Sequence, residues 1–455
     1  MKPDGKSLDI VVVGLGQAGG NLAAEFYRRG YPALALNTAE TDLNALEEGG
    51  LFPAMPAERR LYVGLDGYDG AGADPGYGRD CVHAHADRIR SAVMKMGGDA
   101  DCVIITAGLG GGTGSSLAEL VNVLADEDLP IVALMTLPTE GESALAKVNA
   151  VRAINEIVDA PLLGWVFVDN GRIASLNQDI SVVDYYAHIN GQIVHPLDAL
   201  NRLNARSDVR PIRSFDGEDF RKLLLSGGVL NYATTQIPKI STDEVVGAVK
   251  DCLDASEIMP GGFDMARLSY VGLVIEAPES ALAEAPISTF EEIAETLKDE
   301  TAGAAVYYGI YRTAKGSTPT VRLIASTPSL PHRIRQVLGD AKREGMILGE
   351  KVQEELPTLE LGEISSVELF RTRTRPSERP RKNRAGGGGL GRRPADLVDD
   401  IAREIGGSRR PSMLQEADDA ADALGARGWA AAAPGDPGRA PAPRWSPRAW
   451  WRRRR

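Results

Sequence analysis

The apolar residues of this chain fall in short unbroken runs, each followed by glycines or a polar turn and then by a segment with helical spacing. LDIVVV (8–13) leads into a glycine loop and then NLAAEFYRRG, while ALALNT (33–38), RLYVGL (60–65), DCVIITAGL (101–109), IVALMTLP (131–138) and GWVFVDN (164–170) are further runs. Between them DRIRSAVMKM (87–96), SSLAELVNVLADE (115–127) and ALAKVNAVRAINEIV (144–158) read as helices. Near-continuous apolar strands alternating with helices predict a parallel sheet covered on both faces. The stretch 66–78, DGYDGAGADPGYG, is rich in glycine.

Residues 181–206 are amphipathic and interrupted only by Pro196, as expected of a helix crossing between two domains. From about 240 the units lengthen: DEVVGAVKDCLDA and TFEEIAETLKDE read as helices, and LSYVGLVIEA, AAVYYGIYRT and TVRLIAST as strands. The last two strands alternate and are joined by KGSTP, which predicts a hairpin. The predicted organisation is an α/β domain over 1–180, a central helix and following loop over 181–235, and a smaller α+β domain over 236–370. A basic flexible linker over 371–394 and a largely disordered tail over 395–455, with one short helix, complete it.

Composition adds a charge asymmetry. From residue 371 onward the chain holds 20 Lys/Arg and 10 Asp/Glu, a net of +10, against 31 and 53, a net of −22, before it. So acidic a body is a poor general partner for nucleic acid, and no specific nucleic-acid binding is expected of it. No run is long and apolar enough for a transmembrane helix, no signal peptide is visible, and Cys81, Cys102 and Cys252 are too scattered for a disulfide framework. A cytoplasmic protein is expected. His83 and His85 beside Cys81 lack further ligands, so no metal site is assigned to them. The end of the chain carries Trp445, Trp450, Trp451 and seven arginines from Arg439 to Arg455. Tryptophan favours the lipid headgroup zone and arginine is drawn to anionic lipid, so 439–455 is a candidate membrane contact, with a solvated basic tail the plainer alternative.

Two glycine loops carry the chemistry. Gly14-Leu15-Gly16-Gln17-Ala18-Gly19 fits GxGxxG between a strand and a helix, where backbone amides face a pyrophosphate. A dinucleotide-binding dehydrogenase would also place an acidic residue at the end of the second strand, but Leu36-Asn37-Thr38 stands there. The second loop, Gly108-Leu109-Gly110-Gly111-Gly112-Thr113-Gly114-Ser115, lets the backbone wrap closely around anionic oxygens, with Thr113 and Ser115 as hydroxyl donors. No GxxxxGK[ST] is present.

GGGTGS together with GQAGG resembles the tubulin/FtsZ superfamily of polymerising GTPases, over residues from about 8 to 370. The spelling GLGQAGGN sits between bacterial FtsZ and the archaeal CetZ-like branch. The resemblance implies a Rossmann-like GTPase domain, a central helix, an α+β activation domain, GTP/GDP with Mg²⁺, and head-to-tail self-association into filaments. It places Gly16, Gln17, Ala18, Asn21, Gly108, Gly110, Gly111, Gly112, Thr113 and Gly114 at the phosphates. Gly72-Ala73-Asp74-Pro75 resembles the γ-phosphate loop, with Asp74 in place of an amide. Glu140 resembles the ribose-binding residue, Ala144 replaces an expected arginine, and Asn170 and Asn190 resemble the guanine readers, with Gly171 where an aspartate is usual. Ser214-Phe215-Asp216-Gly217-Glu218-Asp219 resembles the catalytic loop that reaches the nucleotide of the next subunit, with Asp216 and Asp219 retained and Ser214 replacing Asn. Asp216 also suits plain N-capping of the helix that follows. No stretch resembles the FtsZ tail peptide that docks membrane adaptors.

Overall fold

The computed structural model describes residues 5–47, 54–65, 67, 69–314 and 316–355. Eleven strands form one sheet: β1 (Ile10–Leu15), β2 (Ala33–Asn37), β3 (Arg60–Tyr62), β4 (Cys102–Gly108), β5 (Ile131–Leu137), β6 (Gly164–Asp169), β7 (Val209–Arg213), β8 (Val229–Gln236), β9 (Tyr270–Ala277), β10 (Ala305–Thr313) and β11 (Thr320–Thr327). Their order is β3-β2-β1-β4-β5-β6-β8-β11-β9-β10-β7. The first six pair in parallel throughout. Every residue of β1, β2 and β5 is buried, so neither face has a polar side and each carries its own apolar cluster. This is the parallel, doubly covered sheet that the unbroken apolar runs predict.

Within that half the order 3-2-1-4-5-6 reverses direction between β1 and β4. Ligands of open α/β sheets bind at such a switch point, outside the carboxyl ends of the strands. Both glycine loops emerge there, one from β1 and one from β4.

The central helix, Val182–Asn201, is started by Ser181, whose hydroxyl accepts from Asp184 N, and Pro196 lies inside it. At about 1.5 Å per residue it spans ~30 Å, longer than the strands it lies beside. Its Ile189, Ile193 and Leu197 share an apolar cluster with Leu22 and Phe26 of the first helix, Gly16–Arg28. Its end is fixed by charge, Asp198 accepting from Tyr31 Oη (2.9 Å) and Arg202 Nε (2.8 Å).

The second half of the sheet is mixed and joins the first through a short parallel β6–β8 pairing. Here the structure departs from the predicted hairpin. β10 and β11 are not partners, because β9 lies between them, parallel to β10 and antiparallel to β11. β9 is buried at all but its first position, whereas β10 keeps several half-exposed residues. The strand that is buried on both faces takes the interior place. No helix among the described residues is long and apolar enough to cross a membrane. The predicted linker and tail, 371–455, lie outside the described residues.

Candidate functional site

The helix Gly16–Arg28 begins directly after β1, with Leu15 at its N-cap and no side chain capping its first amides. Gly16 has φ +75°, and a Cβ there would lie 3.1 Å from Gly114 N and 3.4 Å from Thr113 Cβ. The two loops therefore meet backbone to backbone. A Cβ on Gly114 would collide with Gly108 O, and one on Gly19 with Thr106 O, whose hydroxyl already bonds Gly19 O at 2.8 Å. These glycines are required by close approach, while Gly111 faces open space and is exposed. Among the described residues no hydrogen bond uses the amides of Gly110, Gly111 or Gly112. Gln17 and Ala18 are exposed beside them, and Asn21 is buried one turn further along.

The hydroxyls expected to face phosphate turn inward. Thr113 Oγ1 pairs with Thr38 Oγ1 at 2.7 Å, Ser115 Oγ donates to Leu109 O at 2.5 Å, and Ser116 Oγ to Thr113 O at 2.6 Å. They stitch the loop into shape without using the amides of Gly110, Gly111 or Gly112. Thr38 was not singled out by the sequence. Its neighbour Asn37, whose place counts against the dehydrogenase pattern, bonds locally to Asp42 Oδ2 and the Ala39 amide.

The third loop packs on the second. A Cβ on Gly112 would strike Asp74 N at 2.6 Å and Ala71 Cβ at 2.8 Å. Gly72 and Ala73 both have positive φ, +53° and +61°. Asp74 is an N-cap, its Oδ1 accepting from Gly76 N (2.8 Å) and Tyr77 N (3.3 Å), with Pro75 opening the helix Pro75–Ala84. The glycine-rich reading of 66–78 missed this helix start, although Asp followed by Pro is its usual signature. Asn149, on the helix Ala144–Val158, was missed as well. Its Nδ2 donates to Ala73 O at 2.9 Å and to Gly110 O at 3.3 Å.

Glu140 is exposed on the next loop, its carboxylate 3.5 Å from Arg333 Nη2. Ala144 carries no charge, and the nearby cation, Lys147, is committed to Glu140 O (2.7 Å) and Glu344 Oε1 (2.6 Å). Asn170 opens a helix capped by the buried Asp169, which accepts from Gly171 N, Arg172 N and Arg333 Nε. Asn190 is buried on the central helix and its Nδ2 has no hydrogen-bond partner. A buried, unpaired amide donor fits a ligand that supplies an acceptor. His83 bonds Glu119 and His85 the Cys81 carbonyl.

Asp216 and Asp219 lie elsewhere. They form a capping box on the helix Gly217–Leu224: Asp216 Oδ1 accepts from Glu218 N and Asp219 N at 2.9 Å each, and Asp219 Oδ2 from Asp216 N at 3.2 Å. Phe215 between Ser214 and Asp216 is buried and held through its backbone. Its amide donates to Tyr311 Oη (2.9 Å) and its carbonyl accepts from Asn204 Nδ2 (2.8 Å), the latter just past the central helix. Tyr311 Oη donates in turn to Asn204 Oδ1 at 2.8 Å. Burial pushes the Tyr311 phenol up to about 12. Arg221 pairs with Asp101, which immediately precedes β4, and a Cβ on Gly217 would lie 3.4 Å from Ser7 O, just ahead of β1. The acidic loop thus sits at the amino ends of the strands whose carboxyl ends carry the glycine loops. Six- and seven-residue strands set these ends about 20 Å apart. The structure brings the glycine loops, 72–74 and Asn149 together, and holds Asp216 and Asp219 away from them.

Residues 9–178 match the model of the tubulin/FtsZ family GTPase domain, and 201–338 that of the TubZ-like C-terminal domain of tubulin/FtsZ-like proteins. The tubulin-like protein CetZ of Pyrococcus abyssi is 27% identical over 245 residues, 52% of this chain and 62% of that protein. The match therefore spans about three fifths of that relative's length. CetZ2 of Haloferax volcanii is 28% identical over 361 residues, 74% of this chain and 95% of that protein. Among solved structures, a GTPγS-form protofilament of TubZ from Bacillus thuringiensis serovar israelensis superposes with a TM-score of 0.65 at 20% identity, covering 77% of this chain and 95% of that one, a likeness of fold.

Proposed function

Since the chain belongs to the tubulin/FtsZ family, we propose that it binds GTP and assembles head to tail into cytoskeletal filaments, hydrolysing GTP where two subunits meet. The observation that carries this reading is the separation of the two half-sites by the depth of one sheet. No single subunit closes Asp216 and Asp219 on its own glycine loops. A second copy stacked along the strand direction would bring its acidic loop to the open face of the first. Such a contact is heterologous and, when it does not close, builds a filament.

In this reading the free amides of 110–112 and of the first helical turn hold the phosphates. Asn170 and Asn190 read guanine, and Glu140 holds the ribose. Mg²⁺ would supply charge neutralisation on the phosphates, with Asp74 on the loop packed against Gly112 and Glu142 beside Gly110 as the carboxylates at hand. Asp216 and Asp219 of the adjoining subunit orient the attacking water, and positioning with charge stabilisation does most of the remaining work. Residues 1–180, 181–235 and 236–370 are then the GTPase domain, the central helix with its catalytic loop, and the activation domain. For 439–455, the Trp/Arg composition supports attachment to anionic lipid. Its test is liposome co-sedimentation with and without 429–455, and equal pelleting would remove it.

The decisive test is phosphate release from GTP against protein concentration, with ATP as control and light scattering alongside. The expected result is a rate per subunit that rises above a critical concentration with GTP alone. Scattering without phosphate release would make the protein a GTP-binding scaffold, a reading that Ser214 and the capping role of both carboxylates favour. No response to GTP would refute both.

A further inference from the structure

We infer that Asn149 is the residue by which the site distinguishes a nucleoside triphosphate from a diphosphate. It acts by locking the 72–74 loop onto the second glycine loop. The inference rests on the nucleotide reading above and adds a positioning residue to it.

Three observations carry it. Asn149 is fully buried, and its amide faces two main-chain carbonyls, Ala73 O and Gly110 O, one from each loop. Both partners are acceptors, which fixes Nδ2 as the atom between them. One of those partners belongs to Ala73, a non-glycine residue at φ +61°, a conformation that L-residues adopt only when their surroundings hold them there. Finally, Asn149 Oδ1 is buried without a hydrogen-bond partner. An apolar side chain would avoid that cost but take the donor from Ala73 O and Gly110 O, so the asparagine is placed by the tie between the two loops.

The geometry gives the lock a purpose. The Ala71–Asp74 backbone lies against Gly112, so the third loop continues the wall formed by Gly110–Gly112. A diphosphate gripped by the helix Gly16–Arg28 and the second loop leaves that extension unused. A third phosphate needs it in place. The turn bond from Asp74 N to Ala71 O (2.8 Å) shapes the loop from within, and Asn149 ties Ala73 O to the second glycine loop, so without Asn149 the loop loses that tie and relaxes.

The test compares GTPγS and GDP affinities of the full chain, wild type against N149A, by fluorescence of a labelled nucleotide in competition. N149A is expected to weaken GTPγS binding at least about tenfold and GDP binding less than about threefold. The double variant N149A/A73G keeps the deletion but removes the need for strain, since glycine adopts positive φ freely. It is expected to recover a substantial part of the GTPγS affinity, which loss of general packing would not allow. Equal loss for both nucleotides with no recovery, or no loss at all, overturns the proposal. Failure of the wild-type chain to bind either nucleotide overturns instead the reading on which it rests.

Discussion

Asp216 and Asp219 start a helix and are the proposed catalytic pair, and the two roles can be separated by measurement. Asp219→Asn keeps the size of the side chain and an oxygen able to accept from Asp216 N, so the capping box survives in weakened form. The stability cost is expected to stay below about 1 kcal/mol, the low end for an impaired cap. Turnover is expected to fall by about 10²–10⁴-fold, the usual contribution of a group that orients or deprotonates an attacking water. GTP-dependent scattering should persist. If melting temperature and turnover fall together, Asp219 is a cap and nothing more. Tyr311 is a different case, because its hydroxyl both receives the Phe215 amide and donates to Asn204. Tyr311→Phe leaves the Phe215 amide buried and unpaired, a loss of about 1–3 kcal/mol. Turnover should fall with it through misplacement of Asp216. Burial also pushes Tyr77 up to about 12 and raises Tyr31 and Tyr232 further. For each phenol the folded protein keeps its proton at a pH where the unfolded chain, with a value near 10, has lost it. Stability is therefore fully present below pH 10 and falls as pH rises from 10 towards 12. Chemical denaturation at stepped alkaline pH should show that slope, and Tyr311→Phe should make it shallower.

At the scale of elements, the helix His332–Glu355 is a brace across the nucleotide end of the molecule. Its Arg333 donates to Asp169, whose side chain is 4% exposed and caps the helix that begins with Asn170, while its Glu344 holds Lys147. Arg333→Met leaves the Asp169 carboxylate buried with only two amides for company. The expected loss is about 3 kcal/mol, read as a shift of the urea midpoint, and Arg333→Met with Asp169→Asn should recover part of it. An unshifted midpoint would mean that the amides alone support the charge. None of this brace was legible in the sequence. Contacts such as Arg333 with Asp169 join residues 164 positions apart, and no local pattern encodes them. The parallel half of the sheet was legible, because a strand buried on both faces has to be apolar at every position, and β1 and β5 are. The glycine loops were legible for a related reason: Gly16, Gly19 and Gly114 stand where a Cβ has no room. The β10–β11 hairpin was misread because alternation and a turn signal say nothing of a third strand that inserts between them. The hydroxyls of Thr113 and Ser115 were recognised as part of the loop, but spacing does not reveal that Thr38 and Leu109 wait as their partners.

At the scale of the whole molecule, the two half-sites at opposite ends of β1 and β4 lead to a prediction that two inactive proteins become active when mixed. Gly111 is exposed and a Cβ there meets nothing within 4 Å. Gly111→Asp should therefore fold normally yet place a negative charge where the phosphates dock, disabling the nucleotide face alone. Asp219→Asn disables the opposite face alone. Each variant by itself lacks one half of every junction. In an equal mixture, a junction is productive when an Asp219→Asn subunit presents its intact nucleotide face to the intact acidic loop of a Gly111→Asp subunit. Random assembly makes about a quarter of junctions productive, so phosphate release should return to as much as about a quarter of the wild-type rate. The return should depend on total concentration, because the junction is bimolecular. A site complete within one subunit admits no such rescue, since neither variant repairs the other's defect in place. Zero recovery, with Gly111→Asp shown by scattering to join Asp219→Asn filaments, would therefore place the chemistry inside the single chain and break the link between hydrolysis and assembly.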